Sequence, residues 1–255
     1  MKICLLASGS KGNSILVESG KTRLLIDAGL SARELRKRLD SVGVEAESLD
    51  ALLITHEHGD HVRGLGPLVR QLDLPVYLQS DLARKLPDVG KPECVQEFVD
   101  GEEFTIQDMT IRPFAVTHDC LAPVGFTLDG EFGKVGVATD LGIVTRLVTE
   151  CLQDCRALVL ETNHDEELLR DGPYPWKLKQ RVRSNHGHLS NNAAGNLLQG
   201  LLWSGLETVF LGHLSETNNR PDLAVEVVKE VLEKQNICEP QVFLGKQHLP
   251  VHWAA

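Results

Sequence analysis

No apolar run in this 255-residue chain approaches the roughly 20 residues that a membrane-spanning helix requires, which excludes an integral membrane protein of the helical kind. The start of the chain superficially suggests a secretion signal, but only five apolar residues precede Ser8-Gly9-Ser10, too few for an h-region. That run reads as a first strand, and the protein is expected to be cytoplasmic. The six cysteines form no CxxC pair and no framework spacing, which excludes a disulfide scaffold and fits free thiols in a reducing cytosol. Cys120 stands apart because it lies two residues beyond a candidate ligand, His118. A surplus of basic charge is also missing. The formal net charge is −10, which argues against a protein coated in positive surface for nonspecific nucleic-acid binding, though it leaves room for a local basic track. No interdomain linker and no low-complexity segment interrupts the chain. With 42% apolar and 24% charged residues it is expected to be one soluble domain over residues 1–255.

What is present concentrates in one stretch. Leu52-Leu53-Ile54-Thr55 is an apolar run that feeds His56-Glu57-His58-Gly59-Asp60-His61, four potential metal ligands within six residues. A strand end running into a tight turn lets one pair face one ion and the next pair face another. Gly59 permits such a turn. Imidazole and carboxylate suit zinc, and manganese or iron accept the same set. Other ligand candidates follow apolar runs directly or within a residue or two: His118, Asp140 and His213. Two metals need six or seven protein ligands, and these seven positions supply them.

In chain order, Lys2–Ala7 and residues 14–18 read as strands around the loop Ser8-Gly9-Ser10-Lys11-Gly12-Asn13. That loop is either a plain hairpin turn or a donor-rich cradle that holds a phosphate over the metals; it lacks the spacing of a P-loop. Thr22–Ile26 is a strand ending at Asp27, and Ser31 caps a helix through residue 39. A helix is expected over residues 62–72 and a strand at Val76–Gln79. Strands at residues 98–100 and Phe104–Ile106 are expected to form a hairpin around Asp100-Gly101. Strands then follow at residues 110–117, 135–139, 157–160, 208–211 and 242–245, and helices at 144–152, 191–202 and 221–234. In the last of these Leu223, Val227, Val231 and Leu232 are expected to face inward. Residues 165–190 look irregular, and His248 and His252 fall in a C-terminal tail. Strand, Asp27-Ala28-Gly29, helix, strand, His56 is echoed by strand, Asp140-Leu141-Gly142, helix, strand, Glu161, which suggests an internal duplication.

The HxHxDH signature at residues 56–61 resembles that of the metallo-β-lactamase fold superfamily. The resemblance implies an α/β fold of the αββα four-layer sandwich kind and a two-metal hydrolase. Residue by residue it implies a first site of His56, His58 and His118 and a second of Asp60, His61 and His213. Asp140 would bridge them, and Asp27 would be an acid behind the ligands that fixes their loop; the alternative for Asp27 is a helix N-terminal or turn aspartate. Glu161-Thr162-Asn163-His164 and His186-Gly187-His188-Leu189-Ser190 resemble the Glu and His motifs of the superfamily's tRNA-processing phosphodiesterases. There the pair handles protons for the leaving alkoxide, and the bland alternative is a structural hydrogen-bonded pair. With Ala7–Ser14 as a loop and His213-Leu214-Ser215 followed by Asn218-Asn219, the whole chain resembles the YycJ/WalJ-type nuclease branch.

That branch implies a 5′-to-3′ exonuclease on double-stranded DNA, using a metal-bridging hydroxide as nucleophile, linked to mismatch repair and to repair proteins as partners. Asp60, Glu161 and His188 would be catalytic. Substrate contacts are expected from Ser10, Lys11, Asn13, His164, Ser190 and Asn218, and from a basic track holding Arg170, Lys177, Lys179, Arg181 and Arg183 near Tyr174 and Trp176. The track could also be a solvated loop, and His164 and His186 could be solvated. Two other readings stand beside the nuclease: a hydrolase of a small ester, thioester, lactone or cyclic nucleotide, and a non-enzymatic metal-bound sensor or recruiting module.

Overall fold

The computed structural model describes residues 1–86 and 89–255. One seven-stranded sheet is built from β1 (Lys2–Ala7), β2 (Ser14–Ser19), β3 (Thr22–Ile26), β4 (Ala51–Leu53), β5 (Val76–Gln79), β6 (Val95–Phe98) and β14 (Val251–Ala254), in the order β14-β1-β2-β3-β4-β5-β6. The second holds β7 (Phe104–Ile106), β8 (Met109–Ala115), β9 (Val124–Gly130), β10 (Gly133–Ala138), β11 (Ala157–Glu161), β12 (Thr208–Gly212) and β13 (Gln241–Leu244), in the order β13-β12-β11-β10-β9-β8-β7.

The strands read as unbroken apolar runs because both of their faces are buried. Ile3, Leu5, Val17 and Ile26 point between the sheets and meet Phe126, Val137 and Phe210. Alternate residues Cys4, Leu6, Leu25 and Leu52 point the other way, against Leu35 and Leu39 of α1 (Ala32–Ser41) and Leu68 of α3 (Leu65–Leu72). On the far side Leu158, Leu160 and Leu211 meet Val148 of α5 (Arg146–Leu152), Leu197 of α8 (Asn191–Gly200) and Val228 of α9 (Pro221–Glu233). The result is the helix–sheet–sheet–helix sandwich expected.

In each sheet three antiparallel pairings give way to three parallel ones. β3 therefore occupies the place of β10, β4 that of β11, and β5 that of β12. Each first parallel step is crossed by a helix, α1 or α5, as parallel pairing demands. The echo in the sequence is a repeat of topology, and it extends to backbone detail. Asp27 and Asp140, at the matching strand ends, both adopt left-handed φ, 62° and 56°.

Several expectations are corrected. Asp100-Gly101 is not a hairpin: β6 pairs with β5 in the first sheet and β7 with β8 in the second, so the chain crosses between sheets there. The expected helix at 62–72 is two pieces, α2 (Gly59–Val62) and α3, separated at Gly64, whose N–H donates to the Ala28 carbonyl. β9 was not expected. β14 replaces the supposed tail: it pairs with β1, placing His252 opposite Cys4 with its side chain in solvent. In α9 Val231 and Leu232 pack on the core as expected, half-buried like Leu223 and Val227, but the fully buried positions are Ala224 and Val228. Residues 165–190 contain α6 (Glu166–Asp171) and α7 (Trp176–Val182), with α4 (Ser80–Lys85) completing the helices named.

Candidate metal centre

The ends of β3, β4, β10, β11 and β12 meet at one rim of the sandwich, and each delivers a polar residue there: Asp27, His56, Asp140, Glu161 and His213. Three of these turn inward through strained backbone. Asp27, Asp140 and His213, none of them glycine, have φ of 62°, 56° and 55°, a region that side-chain-bearing residues avoid unless the surroundings enforce it. Gly29 closes the arrangement. A Cβ there would lie 1.7 Å from the Asp60 carbonyl oxygen, the same oxygen that accepts the Asn13 N–H at 2.8 Å. Only hydrogen fits where the three loops bearing Asn13, Asp27 and Asp60 cross.

The imidazoles are held by their Nδ1 atoms. His61 Nδ1–H donates to Asp27 Oδ2 at 2.7 Å. His118 Nδ1–H donates to the Gly187 carbonyl at 2.9 Å. His213 Nδ1–H donates to Glu161 Oε1 at 2.8 Å. The Thr55 hydroxyl gives its proton to Asp27 (2.8 Å), so its oxygen accepts from His56 Nδ1 at 3.0 Å. In the neutral ring each bond puts the proton on Nδ1, which leaves Nε2 to carry the lone pair a cation would take. Those lone pairs converge. Among the described residues, His56 Nε2, His213 Nε2 and Asp140 Oδ2 are buried without a hydrogen bond.

The separations suit cations. In a tetrahedral site with bonds of about 2.0–2.1 Å, two ligand atoms lie roughly 3.3–3.4 Å apart. His118 Nε2 and His58 Nδ1 are 3.3 Å apart. Asp60 Oδ2 lies 3.6 Å from His61 Nε2 and 3.5 Å from His213 Nε2, and Asp140 Oδ2 lies 3.2 Å from His61 Nε2. Among the ligand groupings are His56/His58/His118 and Asp60/His61/His213, and a third, His56/His61/Asp140, joins the two. Asp140 stands between them, with Oδ1 3.8 Å from His118 Nε2 and Oδ2 towards His61. A further grouping of Asp140, Glu161, His188 and His213 needs no ion, because the His188 and His213 Nδ1–H groups each donate to Glu161 Oε1 at 2.8 Å. This donor set fits divalent metals of the zinc and manganese kind.

Protein groups alone leave the cluster electrostatically unbalanced. Burial pulls the His61 imidazole down, but the Asp140 and Asp27 carboxylates outweigh it and lift it to about 10. His56, buried and beside His61, is held well below the usual range. Burial pushes Asp140 up, yet His213 and His61 bring it well below the ordinary carboxylate value. Burial likewise opposes Glu161 ionisation, and His188 and His213 bring it down to about 2. Glu161 is fully buried and fully satisfied: Oε2 accepts the N–H groups of Leu141 (2.9 Å) and Leu189 (3.1 Å).

The substrate-contact expectations divide. Asn13 sits on the cluster itself, its Nδ2 3.1 Å from His61 Nε2 and 3.3 Å from Asp60 Oδ2. Ser10 and Asn218 line a cavity beside His188. His164 is buried, with Nδ1 unpartnered. Ser190 is not available to a substrate: its hydroxyl donates to Glu166 at 2.9 Å, and its oxygen caps α8 at the Ala193 N–H. Lys11 is paired with Glu216, on the surface. The basic track is weaker than its sequence suggests. Arg170 pairs with Asp171, Lys179 Nζ donates to the Arg170 carbonyl, and Arg181 pairs with Asp119. Among the described residues Lys177 and Arg183 have no ion pair, and both are exposed, as are Trp176 and His186. Four contributors were missed. Thr55 and the Gly187 carbonyl fix tautomers, and the Ser8 hydroxyl accepts the His213 N–H at 2.7 Å. Asp119 lies 3.5 Å from His118 Nε2. Adjacency to His56 and His118 was a signal for Thr55 and Asp119; a backbone carbonyl leaves none.

Comparisons with known proteins agree with this geometry. Residues 22–213 match the β-lactamase superfamily domain. The chain is 37% identical over 228 residues to exodeoxyribonuclease WalJ of Streptococcus pneumoniae, covering 88% of this chain and 85% of that protein. It is 34% identical over 242 residues to exodeoxyribonuclease YycJ of Bacillus anthracis, covering 94% and 92%. Among solved structures, the metallo-β-lactamase fold protein YhfI of Bacillus subtilis superposes with a TM-score of 0.74 at 21% identity, covering 99% of each chain.

Proposed function

From the β-lactamase superfamily, to which this chain belongs within the WalJ/YycJ branch, we propose that the protein, a metal-dependent hydrolase, is a two-metal exonuclease that digests double-stranded DNA from the 5′ end. Its place in mismatch repair and contact with repair proteins are part of the same reading. The observation that carries it is His188. Its ring is partly exposed at the edge of the cluster, with Nδ1 bound to the buried Glu161 carboxylate at 2.8 Å and 3.7 Å from Asp140 Oδ1. An alkoxide leaves poorly without a proton, and a histidine oriented by a carboxylate can supply one.

His56, His58 and His118 would hold one cation and Asp60, His61 and His213 the other, with Asp140 within reach of both sets. Zinc or manganese, with iron as a further candidate, would supply water activation and polarise the phosphate. Asp27, Thr55, Glu161 and the Gly187 carbonyl keep the ligand lone pairs aimed inward. Asp60 orients the attacking water. As the new P–O bond forms, the P–O3′ bond breaks. O3′ takes the proton from His188 Nε2, the water proton passes by way of Asp60 to solvent, and the shortened strand keeps a 5′-phosphate.

The test is a matrix of metals against single- and double-stranded DNA and RNA, with and without a 5′-phosphate. The reading expects mononucleotides from duplex DNA with manganese or zinc, lost in His58→Ala. Absence of cleavage of any nucleic acid with any metal refutes it. The modest cavity beside His188, about 240 Å3, favours one second reading, a hydrolase of cyclic nucleotides or small esters, which cleaves those compounds and leaves duplexes intact.

A further inference from the structure

α7 walls the cavity beside His188 with one face and leaves the opposite face bare. Leu178, Arg181 and Val182 line the cavity. Trp176, Gln180 and Arg183 fall on the other face, at the four- and seven-residue spacings of a helical row, and Lys177 flanks them. All four are exposed and none lines the cavity. At 64%, Trp176 is the most exposed large apolar side chain among the described residues. The other two tryptophans are engaged: Trp203 Nε1–H donates to the Cys155 carbonyl at 2.8 Å, and Trp253 is buried under the Arg156 guanidinium. Trp176 has no such partner among the described residues. The charges on this face are free as well. Lys177 and Arg183 form no ion pair among the described residues, while the acids Glu167 and Asp171 of α6 are taken up by Arg170, at 3.9 and 2.8 Å. On a chain of net charge −10 this is a local positive face with an exposed ring. That combination suits single-stranded nucleic acid, through phosphate attraction and base stacking.

We propose that the outer face of α7 binds the DNA strand that is not cut, with the Trp176 ring stacked on one of its bases and Lys177 and Arg183 against its phosphates. The inference rests on the nuclease reading and deepens it by giving the second strand of the duplex a place. Two arguments choose this occupant. The first is chemical. Digestion of one strand from its 5′ end leaves the complement single-stranded, with one more unpaired nucleotide after each cut, and unpaired bases are what an exposed ring stacks on. The second is geometric. The cut strand must reach His188 and the metal cluster, which lie on the cavity side of α7. An α-helix with its side chains is about 10–12 Å across, so a strand on the outer face is held that far from the cut one. The helix stands between the two strands and keeps the end of the duplex open.

The experiment uses two duplexes with the same cut strand. In one the complement extends several nucleotides past the 5′ end under attack; in the other it stops several nucleotides short. Stacking of one base on an aromatic ring is worth a factor of about 5–150. The unmodified protein with manganese is expected to favour the extended complement in kcat/KM by such a factor. Trp176→Ala should bring that ratio close to one, and Trp176→Phe should keep part of it. Should the alanine variant fold poorly, Lys177→Ala combined with Arg183→Ala decides. Loss of two phosphate contacts lowers the slope of log affinity for the extended duplex against log salt by about 1.4, and an unchanged slope overturns the proposal. A ratio that Trp176→Ala leaves unchanged, both duplexes being cleaved equally more slowly or neither being affected, also overturns it and leaves the nuclease reading standing. Failure of the unmodified protein to cleave either duplex with any metal overturns the nuclease reading and the proposal with it.

Discussion

Glu161→Gln changes one oxygen to nitrogen at a site with no room for it. The carboxylate accepts four hydrogen bonds, from the backbone N–H groups of Leu141 and Leu189 and from the Nδ1 atoms of His188 and His213. A glutamine offers one acceptor and one donor. The two backbone donors cannot change, so the amide oxygen must face them and its NH2 must face the imidazoles. Those rings respond by moving a proton from Nδ1 to Nε2, which removes the lone pair that His213 points into the cluster. The loss in metal affinity expected for breaking such a partner is about 10–100-fold, or about 1.4–2.7 kcal/mol. That range matches the roughly 1.5–3 kcal/mol of a single hydrogen bond to a charged group. The measurement is metal stoichiometry and affinity by calorimetry, beside melting curves with and without manganese. Metal-free Glu161→Gln should fold, with one metal bound near normally and the other weakened. If both metals bind as in the unmodified protein, Glu161 does not set the His213 tautomer and the reasoning fails.

Other outcomes follow from the same geometry. His188→Ala should lower kcat by about 10²–10⁴-fold while metal content stays unchanged, as measured by single-turnover assays and elemental analysis. Removing metal with a chelator should lower the melting temperature reversibly; a ligand present at 100 times its Kd contributes about 2.7 kcal/mol, and calorimetry at graded metal concentrations checks the slope. Gly29→Ala places a methyl 1.7 Å from the Asp60 carbonyl oxygen, so soluble yield and melting temperature should both collapse. Arg181→Ala breaks a pair that is more than half exposed on the arginine side, so stability should change by under about 1 kcal/mol, and chemical denaturation tests that.

Most elements were legible because their strands are buried on two faces and their helices on one. Long apolar runs and the Ser31 cap announce themselves, and the cap is found where expected, accepting from the Glu34 N–H. What misled was local turn chemistry. Asp100-Gly101 carries the dipeptide of a hairpin, yet the strands on either side belong to different sheets. β14 went unseen because it is four residues long with only Trp253 buried. The basic track misled for a related reason. Counting charges along the chain cannot show that Asp119, 62 residues from Arg181, neutralises it.

The sequence by itself determined the cluster at His56 to His61, the later candidates at strand ends and the repeated strand–acid–helix–strand unit. Ligand chemistry depends on residue type, and neighbours two to five apart stay close in any fold. Only the tertiary structure decided which atoms face inward. That choice rests on hydrogen bonds spanning 28 to 69 residues, from Thr55 to Asp27, from His213 to Glu161 and from His118 to the Gly187 carbonyl. It also decided that Glu161 serves two histidines at once and that the buried Asn218 amide has no hydrogen-bond partner among the described residues. Tautomers, burial and unpaired atoms are properties of three-dimensional neighbourhoods, and no linear pattern records them.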